Sequence, residues 1–282
     1  MKLSVIVVNY NQKYFPKMCL EAIKKSQVNF PYEIIFVDNA SSDESIAFLR
    51  EAAEKKEIIL IESPENLGYG SANNLGAKEA NGTYLLFMNP DVSVNEDSLQ
   101  NLVDFIESAD SEVFAADSII ANSRPEKIGI LGPKIVYHNG QIQESCRRFM
   151  TFTDLVIKRT PLKYLPRFRK RLSRYIMSDF DHESTQEVDL IVGACFLFPK
   201  VVFEKLGCFD ERFFLFMEDF DLCQKAHQAG YRVVYFPKTS VTHFHKRLSD
   251  GGLLSLPFKK VFWHHLMSSA RYFWRWRNVK EL

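Results

Sequence analysis

The stretch LSVIVVNYN (residues 3–11) decides the fold. Leu3 to Val8 is a nearly unbroken apolar, β-branched run, the composition of a parallel strand covered on both faces. It ends abruptly in the polar trio Asn9-Tyr10-Asn11. The same device recurs twice. Glu33 to Val37 runs into Asp38-Asn39-Ala40-Ser41-Ser42-Asp43, and Tyr84 to Met88 runs into Asn89-Pro90-Asp91. Helical patterns fill the gaps, at 15–27 with Pro16 in its first turn, at 44–55, and at 71–80 with Gly82 beyond as a stop. A third strand is expected at Ile58 to Ile61, and a further helix at 97–108.

Strand and helix in alternation imply right-handed crossovers and an α/β fold, with a Rossmann-like, mostly parallel central sheet flanked by helices. Ligands of such sheets lie outside the carboxyl ends of the strands. Three polar loops at three strand ends therefore make one candidate site, although each alone would be an ordinary turn.

Farther along, residues 110–128 look like an exposed insertion, and Glu187 to Phe198 reads as one buried strand. The aromatic segment Phe209 to Phe216 leads into Glu218-Asp219-Phe220-Asp221 at the start of a helix that should stop at Gly230. A strand at Arg232 to Phe236 follows, with His243 and His245 after it.

Composition excludes several classes. The 282 residues carry a net charge of +1 and are 46% hydrophobic, which argues for a packed core and against a dedicated nucleic-acid binder. No GxGxxG follows the first strand, and neither GxxxxGK[ST] nor GxSxG occurs. The five cysteines, Cys19, Cys146, Cys195, Cys208 and Cys223, form no CxxC pair, so buried reduced thiols in a cytoplasmic protein are expected. The N-terminus turns polar too soon for a signal peptide or a span, and the apolar run at 190–198 is too short to cross a bilayer. Charge is uneven. Ten Lys or Arg against Asp154 lie between Arg147 and Arg174, and six against Glu281 follow Phe258. Each patch is either a solvated face or a contact for anions.

Local chemistry is suggestive at three places. Asp91 sits just past a buried strand, where a hard divalent cation would find an oxygen ligand and keep positions open for phosphates; Asn-Pro-Asp is equally a good turn. Glu218, Asp219 and Asp221 complement a helix dipole, but their aromatic surroundings also suit a raised carboxylate pKa and a general base. His243 and His245, two apart on an extended segment, share one face.

Eight segments in order carry a resemblance to a known family: VIVVNYN (5–11), VDNASSD (37–43), ENLGYGSANNLG (65–76), LLFMNPD (85–91), LGPKIVYHNGQIQESCRRF (131–149), VDLIVGACFLF (188–198), LGCFDERFFLFMEDFDLC (206–223) and AGYRVVYFPKTSVTHFH (229–245). Together they resemble the family 2 glycosyltransferases of the GT-A fold, rhamnosyltransferase-like branch. The resemblance implies inverting transfer of a sugar from a nucleoside diphosphate, dTDP-rhamnose or a UDP-sugar, to a hydroxyl of a glycan or lipid-linked acceptor, in cell-surface polysaccharide synthesis. It implies that Asn9, Asn11, Asp38, Asn39, Asn66, Gly68, Asn74 and Asn89 line the donor site, with Asp38 reading the N3–H of a uracil or thymine. Asp91 would bind Mg²⁺ or Mn²⁺ with His243 as a further contact, although the first acid of the family's Asp-x-Asp is Asn89 here. Arg147 and Arg148 would face diphosphate or acceptor, and Asp219 would be the base, with Glu218 and Asp221 as alternatives.

The expected organisation is a catalytic domain over 1–245, with a nucleotide-binding half (1–110) and an acceptor half (129–245), then a helical basic-aromatic tail (246–282). Phe258, Phe262, Leu266, Phe273 and Trp274 recur there at near-helical spacing among Lys259, Lys260, Arg271, Arg275 and Arg277. The tail either lies on the inner face of the plasma membrane or packs on the protein, and a homodimer is left open. Two rivals stand beside this reading. A sugar-nucleotide pyrophosphorylase would need a glycine-rich basic loop where Asn9-Tyr10-Asn11-Gln12 stands. A non-catalytic nucleotide-sugar or polysaccharide-binding protein would have no need of the acids at 91, 218 and 219.

Overall fold

A computed structural model describes residues 1–116, 127–244 and 260–278 of the chain. The first half runs β1 (Leu3–Asn9), α1 (Phe15–Lys24), β2 (Tyr32–Asp38), α2 (Ser45–Glu54), β3 (Ile59–Glu62), α3 (Tyr69–Glu79) and β4 (Tyr84–Met88). After it come β5 (Val92–Val94), α4 (Ser98–Ala116), β6 (Ile128–Val136), β7 (Cys146–Arg147), α5 (Phe152–Arg159), a 3₁₀ turn (Pro161–Tyr164) and α6 (Pro166–Ile176). The last stretch holds β8 (Gln186–Glu187), β9 (Leu190–Ile191), β10 (Cys195–Pro199), α7 (Lys200–Lys205), α8 (Glu218–Gln228), β11 (Arg232–His243) and α9 (Lys260–Arg275).

One sheet organises these elements, in the order β3-β2-β1-β4-β10-β6-β11-β5, with β8 paired to β11. The β3-β2-β1-β4 half is wholly parallel, as the continuous apolar runs require. Beyond β4 it turns mixed: β10 is antiparallel to β4 and β6, whereas β11 runs parallel to β6. Alternation along β1 sends Ile6 and Val8 to one core layer and Val5 and Val7 to the other. On the first face Phe87 is enclosed by Phe196, Phe198, Phe203 and Phe209, with ring centroids 4.8–5.9 Å away. Phe198 and Phe209 meet Phe87 edge-on, a geometry that adds to area burial because it aligns opposite partial charges.

The structure revises several sequence expectations. Gly82 does not stop α3, which ends in extended backbone at Ala80. Gly82 is instead where the chain closes on β1: its N–H donates to Ser4 Oγ at 2.8 Å, and a Cβ there would lie 2.5 Å from the Ser4 nitrogen. The strand expected over 187–198 is three pieces, β8, β9 and β10, broken at Val188-Asp189 and again at Val192-Gly193-Ala194. The strand expected to end at Phe236 continues through Pro237 to His243, with a register shift between Phe236 and Ser240. The expected insertion at 110–128 begins as a continuation of α4 to Ala116, and 117–126 lie outside the described residues, as do His245, Phe258 and Lys259. No helix among the described residues is long and apolar enough to cross a membrane.

Candidate active site

At the carboxyl ends of β1 and β2, Asn9 pairs with Asp38 in register. The fully buried Asn9 amide donates to Asp38 Oδ1 at 2.8 Å and to Ser45 Oγ at 2.9 Å. Ser41 N–H donates to Asp38 Oδ2 at 2.9 Å, so the Asp38 carboxylate is fixed from two sides. Each of its oxygens keeps a second lone pair for a ligand donor. Asn11, at φ +52°, accepts from Ser42 N–H at 2.7 Å and joins the two loops. Asn39 ties this corner to the next: its amide donates to Asn66 Oδ1 at 2.9 Å, and its oxygen accepts from Leu67 N–H at 2.9 Å. Gly68, at φ +84°, opens α3, and a Cβ there would lie 2.1 Å from the Phe214 carbonyl oxygen. Asn74 faces another way. Its side chain bonds both the N–H and the C=O of Phe209, pinning α3 to the loop before α8.

The second cluster forms where β4 ends. β5 pairs antiparallel with β11, and the register sets His243 opposite Val92, next to Asp91. His243 Nε2 lies 3.3 Å from Asp91 Oδ1, and Nδ1 lies 2.9 Å from Gln143 Oε1. With the Gln143 oxygen accepting from Nδ1–H, the Nε2 lone pair of a neutral ring faces a carboxylate oxygen. Two lone pairs that close repel unless a cation or a proton lies between them. One carboxylate and one imidazole nitrogen thus fit a divalent ion that takes its other ligands from a diphosphate. No cluster of three or more His, Cys, Asp or Glu suited to a metal exists among the described residues, so the protein alone makes no closed cage.

The third cluster is the start of α8. Phe216 (φ +68°) and Met217 (φ +71°) both adopt the left-handed region just before it. For bulky residues this costs of order 1–3 kcal/mol each, held by the surrounding packing. The strain delivers Glu218 and Asp219 into the site. Asp219 Oδ2 accepts from Gly193 N–H at 3.0 Å and Oδ1 from Phe220 N–H at 2.9 Å. Burial raises its pKa, and these N–H groups together with the Arg147 charge offset only part of the rise. Glu218 is buried, and desolvation, then the Asp219 charge, hold its carboxyl well above the usual carboxylate range. Asp221 is fully buried between cations, with Lys225 Nζ at 3.1 Å and Arg275 Nε at 3.2 Å, and it accepts from Trp276 Nε1–H at 3.0 Å. It braces α8 against α9.

A single turn links the clusters. Ala194 C=O accepts from Asn89 N–H at 2.9 Å, while the adjacent Gly193 N–H donates to Asp219. Tyr69 O–H also donates to Gly193 C=O at 2.7 Å. The 192–194 break in the expected strand therefore holds the Asn89-Pro90-Asp91 loop, the start of α3 and Asp219 together. Gln143 and Gly193 carried no assigned role in the sequence reading. A glycine inside a strand pattern often marks such a break, whereas nothing local singled out Gln143. The basic pair separates where β7 ends, since Arg147 closes that strand and Arg148 lies just past it. Arg147 reaches the field of Asp219, and Arg148 turns to Asp189 Oδ1 at 3.2 Å. A cavity of about 530 Å³ behind α3, between Asn74, Phe209, Arg212 and Arg275, shares none of Asp38, Asp91, Asp219 or His243.

Comparison with known proteins gives the family and the fold. The glycosyl transferase family 2 profile matches residues 4–207. An N-acetylglucosaminyl-diphospho-decaprenol L-rhamnosyltransferase of Mycobacterium tuberculosis is 28% identical over 234 residues, spanning 78% of this chain and 69% of that protein. Rhamnosyltransferase WbbL of Escherichia coli is 25% identical over 286 residues, 98% of this chain and 94% of WbbL. Among solved structures, S. aureus TarS 1–349 in complex with UDP-GlcNAc superposes with a TM-score of 0.55 at 20% identity, over 90% of this chain and 61% of that one. GalNAc-T7 with UDP, GalNAc and Mn²⁺ gives a TM-score of 0.65 at 14% identity, over 99% of this chain and 48% of that one. These two likenesses are of fold, and the fold is GT-A.

Proposed function

The chain belongs to glycosyl transferase family 2, and on that footing we propose that it transfers a sugar with inversion from dTDP-rhamnose or a UDP-sugar to a hydroxyl of a lipid-linked glycan, as a step in cell-surface polysaccharide synthesis. Family membership removes the pyrophosphorylase and the non-catalytic binding protein from consideration. One observation carries the reading: the 192–194 turn bonds both Asn89, beside Asp91, and Asp219. In this reading Asp91 is the cation-binding acid and Asp219 the base, and the bonds of one backbone segment to Asn89 and Asp219 support their acting at the same carbon.

In this reading Asp38 accepts from the base N3–H of the donor, while Asn9 and Ser41 hold its carboxylate in place. Asn39, Asn66 and Gly68 shape the adjoining backbone. Asp91 and His243 hold Mg²⁺ or Mn²⁺, which when bound offsets the negative charge growing on the leaving diphosphate. Asp219 takes the proton of the acceptor hydroxyl. The acceptor oxygen bonds to the anomeric carbon as the carbon–oxygen bond to the diphosphate breaks, and the nucleoside diphosphate departs with that electron pair. Burial suits Asp219 to this work, because a raised pKa makes a stronger base. The names of the Mycobacterium and Escherichia relatives support rhamnose as the sugar, and the former supports a polyprenyl-diphosphate acceptor.

The test is release of nucleoside diphosphate by the purified chain with dTDP-rhamnose or UDP-GlcNAc and a polyprenyl-diphosphate GlcNAc acceptor. Release that requires acceptor and divalent cation is expected. Absence of acceptor-dependent release with every pyrimidine donor would reject the proposal.

A further inference from the structure

The tail helix packs on the protein, yet its outward side is apolar. The inner side of α9 is anchored at several points. Ser268 Oγ donates to Leu215 C=O at 3.0 Å, Trp276 donates to Asp221, and the rings of Phe214 and His264 stack at 4.3 Å. Tyr272 is buried, edge-on to Phe220 at 5.9 Å. These contacts fix which way the helix faces. Trp263 (52% exposed), Leu266, Met267 and Trp274 (67%) are left on the outer row. Their spacing of three, four and seven places them on one side. Single exposed apolar residues need no account, but a row of two Trp, one Leu and one Met does.

A second element continues this surface. Phe152, at the start of α5 and 63% exposed, meets Phe273 of α9 edge-on at 5.7 Å. Val156 is exposed one turn later, and Leu162, Tyr164 (72%) and Leu165 are exposed in the connection to α6. The capping box at Thr151 and the Asp154–Arg171 pair hold α5 and α6 together. From α6 the exposed Arg167, Arg169, Lys170 and Arg174 project, with no carboxylate partner among the described residues. Around α9 the sequence has no acid between Asp250 and Glu281.

We infer that the outer row of α9 and the α5–α6 hairpin form one surface that docks on a bilayer containing anionic lipid. Aromatic and aliphatic side chains enter the headgroup boundary while the cations pair with lipid phosphates, the pattern of interfacial helices. Charge decides against a second copy of this chain as the occupant, because its cationic rim would face another cationic rim. The inference deepens the lipid-linked acceptor of the proposed function, since such an acceptor presents its sugar at a membrane surface.

The test is sedimentation of the full chain with phosphatidylcholine vesicles, with and without phosphatidylglycerol and free of donor and acceptor. Binding is expected only with phosphatidylglycerol, and it should weaken with salt. Trp263→Ser/Met267→Ser/Trp274→Ser and, separately, Arg167→Glu/Lys170→Glu should each lower the bound fraction about tenfold. Both should keep the wild-type circular dichroism and the wild-type turnover of a water-soluble acceptor analogue. The inference falls if the chain ignores anionic vesicles or if both variants sediment like wild type. It also falls if the Trp variant instead turns a dimer into a monomer in ultracentrifugation. Because the vesicles hold no substrate, failure of the proposed reaction would leave this binding readout intact.

Discussion

His243 Nε2 lies 3.3 Å from Asp91 Oδ1, though one closes the last strand of the sheet and the other lies just beyond the fourth. The β5–β11 register sets this distance, and Gln143 sets the ring orientation from behind. In the proposed reaction this carboxylate and imidazole nitrogen hold the cation together.

Removal of either ligand should therefore cost donor diphosphate affinity as well as rate. Asp91→Ala is expected to lower turnover about 10²–10³-fold, with the fold retained. Gln143→Leu should weaken Mn²⁺ affinity about 10–100-fold through the ring orientation alone. Calorimetric titration of Mn²⁺ with a nucleoside diphosphate checks both, and full turnover in excess chelator would remove the cation from the scheme.

Asp219 and Asp221 should separate cleanly. Asp219→Asn keeps the bond from Gly193 but cannot take a proton, so turnover should fall about 10²–10⁴-fold with donor binding unchanged. Asp221→Asn leaves Lys225 and Arg275 without their shared buried anion. It should instead destabilise the fold by about 3–5 kcal/mol, the cost of breaking a buried pair. Urea melts and steady-state rates of the two variants decide the matter; a collapse of turnover in a stable Asp221→Asn would move the base.

The pH dependence follows from the raised carboxyls. A base with an elevated pKa works only when ionised, so the acid limb of kcat/KM should lie above 3.8, the ordinary aspartate value. Stability runs the opposite way. For Glu218 the folded state holds its proton more tightly than the unfolded one, so its contribution is complete below the ordinary 4.5 and is lost as pH rises through the elevated folded value. Glu218→Gln should then raise the urea midpoint at neutral and alkaline pH and leave it unchanged in acid. An equal midpoint shift at every pH would show that the carboxyl is not titrating in this range.

Gly68→Ala should lower stability by at least about 1–3 kcal/mol. Its φ of +84° disfavours any side chain, and the new Cβ would strike the Phe214 carbonyl. Since Tyr69 N–H also donates to that carbonyl, the start of α3 should shift and pyrimidine-diphosphate affinity should fall. A denaturant melt and a dTDP titration measure the two effects.

Donor selectivity should rest on Asp38. Uridine and thymidine diphosphates are expected to bind more tightly than GDP, and Asp38→Asn should narrow that difference. Equal calorimetric affinity for GDP and dTDP in the wild type would count against the assignment.

The parallel half of the sheet was legible because its information is local. An apolar, β-branched run followed at once by polar residues specifies both a buried strand and the polar loop that ends it, so the positions of Asn9, Asp38 and Asp91 at or just past strand ends could be read directly. The α8 boundary was equally clear, since acids at a helix start and a glycine at its end act within a turn or two. What lay beyond the sequence was everything set by distant partners. The break at Gly193, the pairing of His243 with Asp91 through β5, and the support from Gln143 depend on register between strands far apart in the chain. The left-handed pair Phe216-Met217 is unfavourable locally and persists only because packing holds it. The tail showed its amphipathic spacing in sequence, yet two faces of that helix compete for burial. Only the contacts to Asp221, Leu215 and Phe214 decided which face turns inward and which is left for a partner.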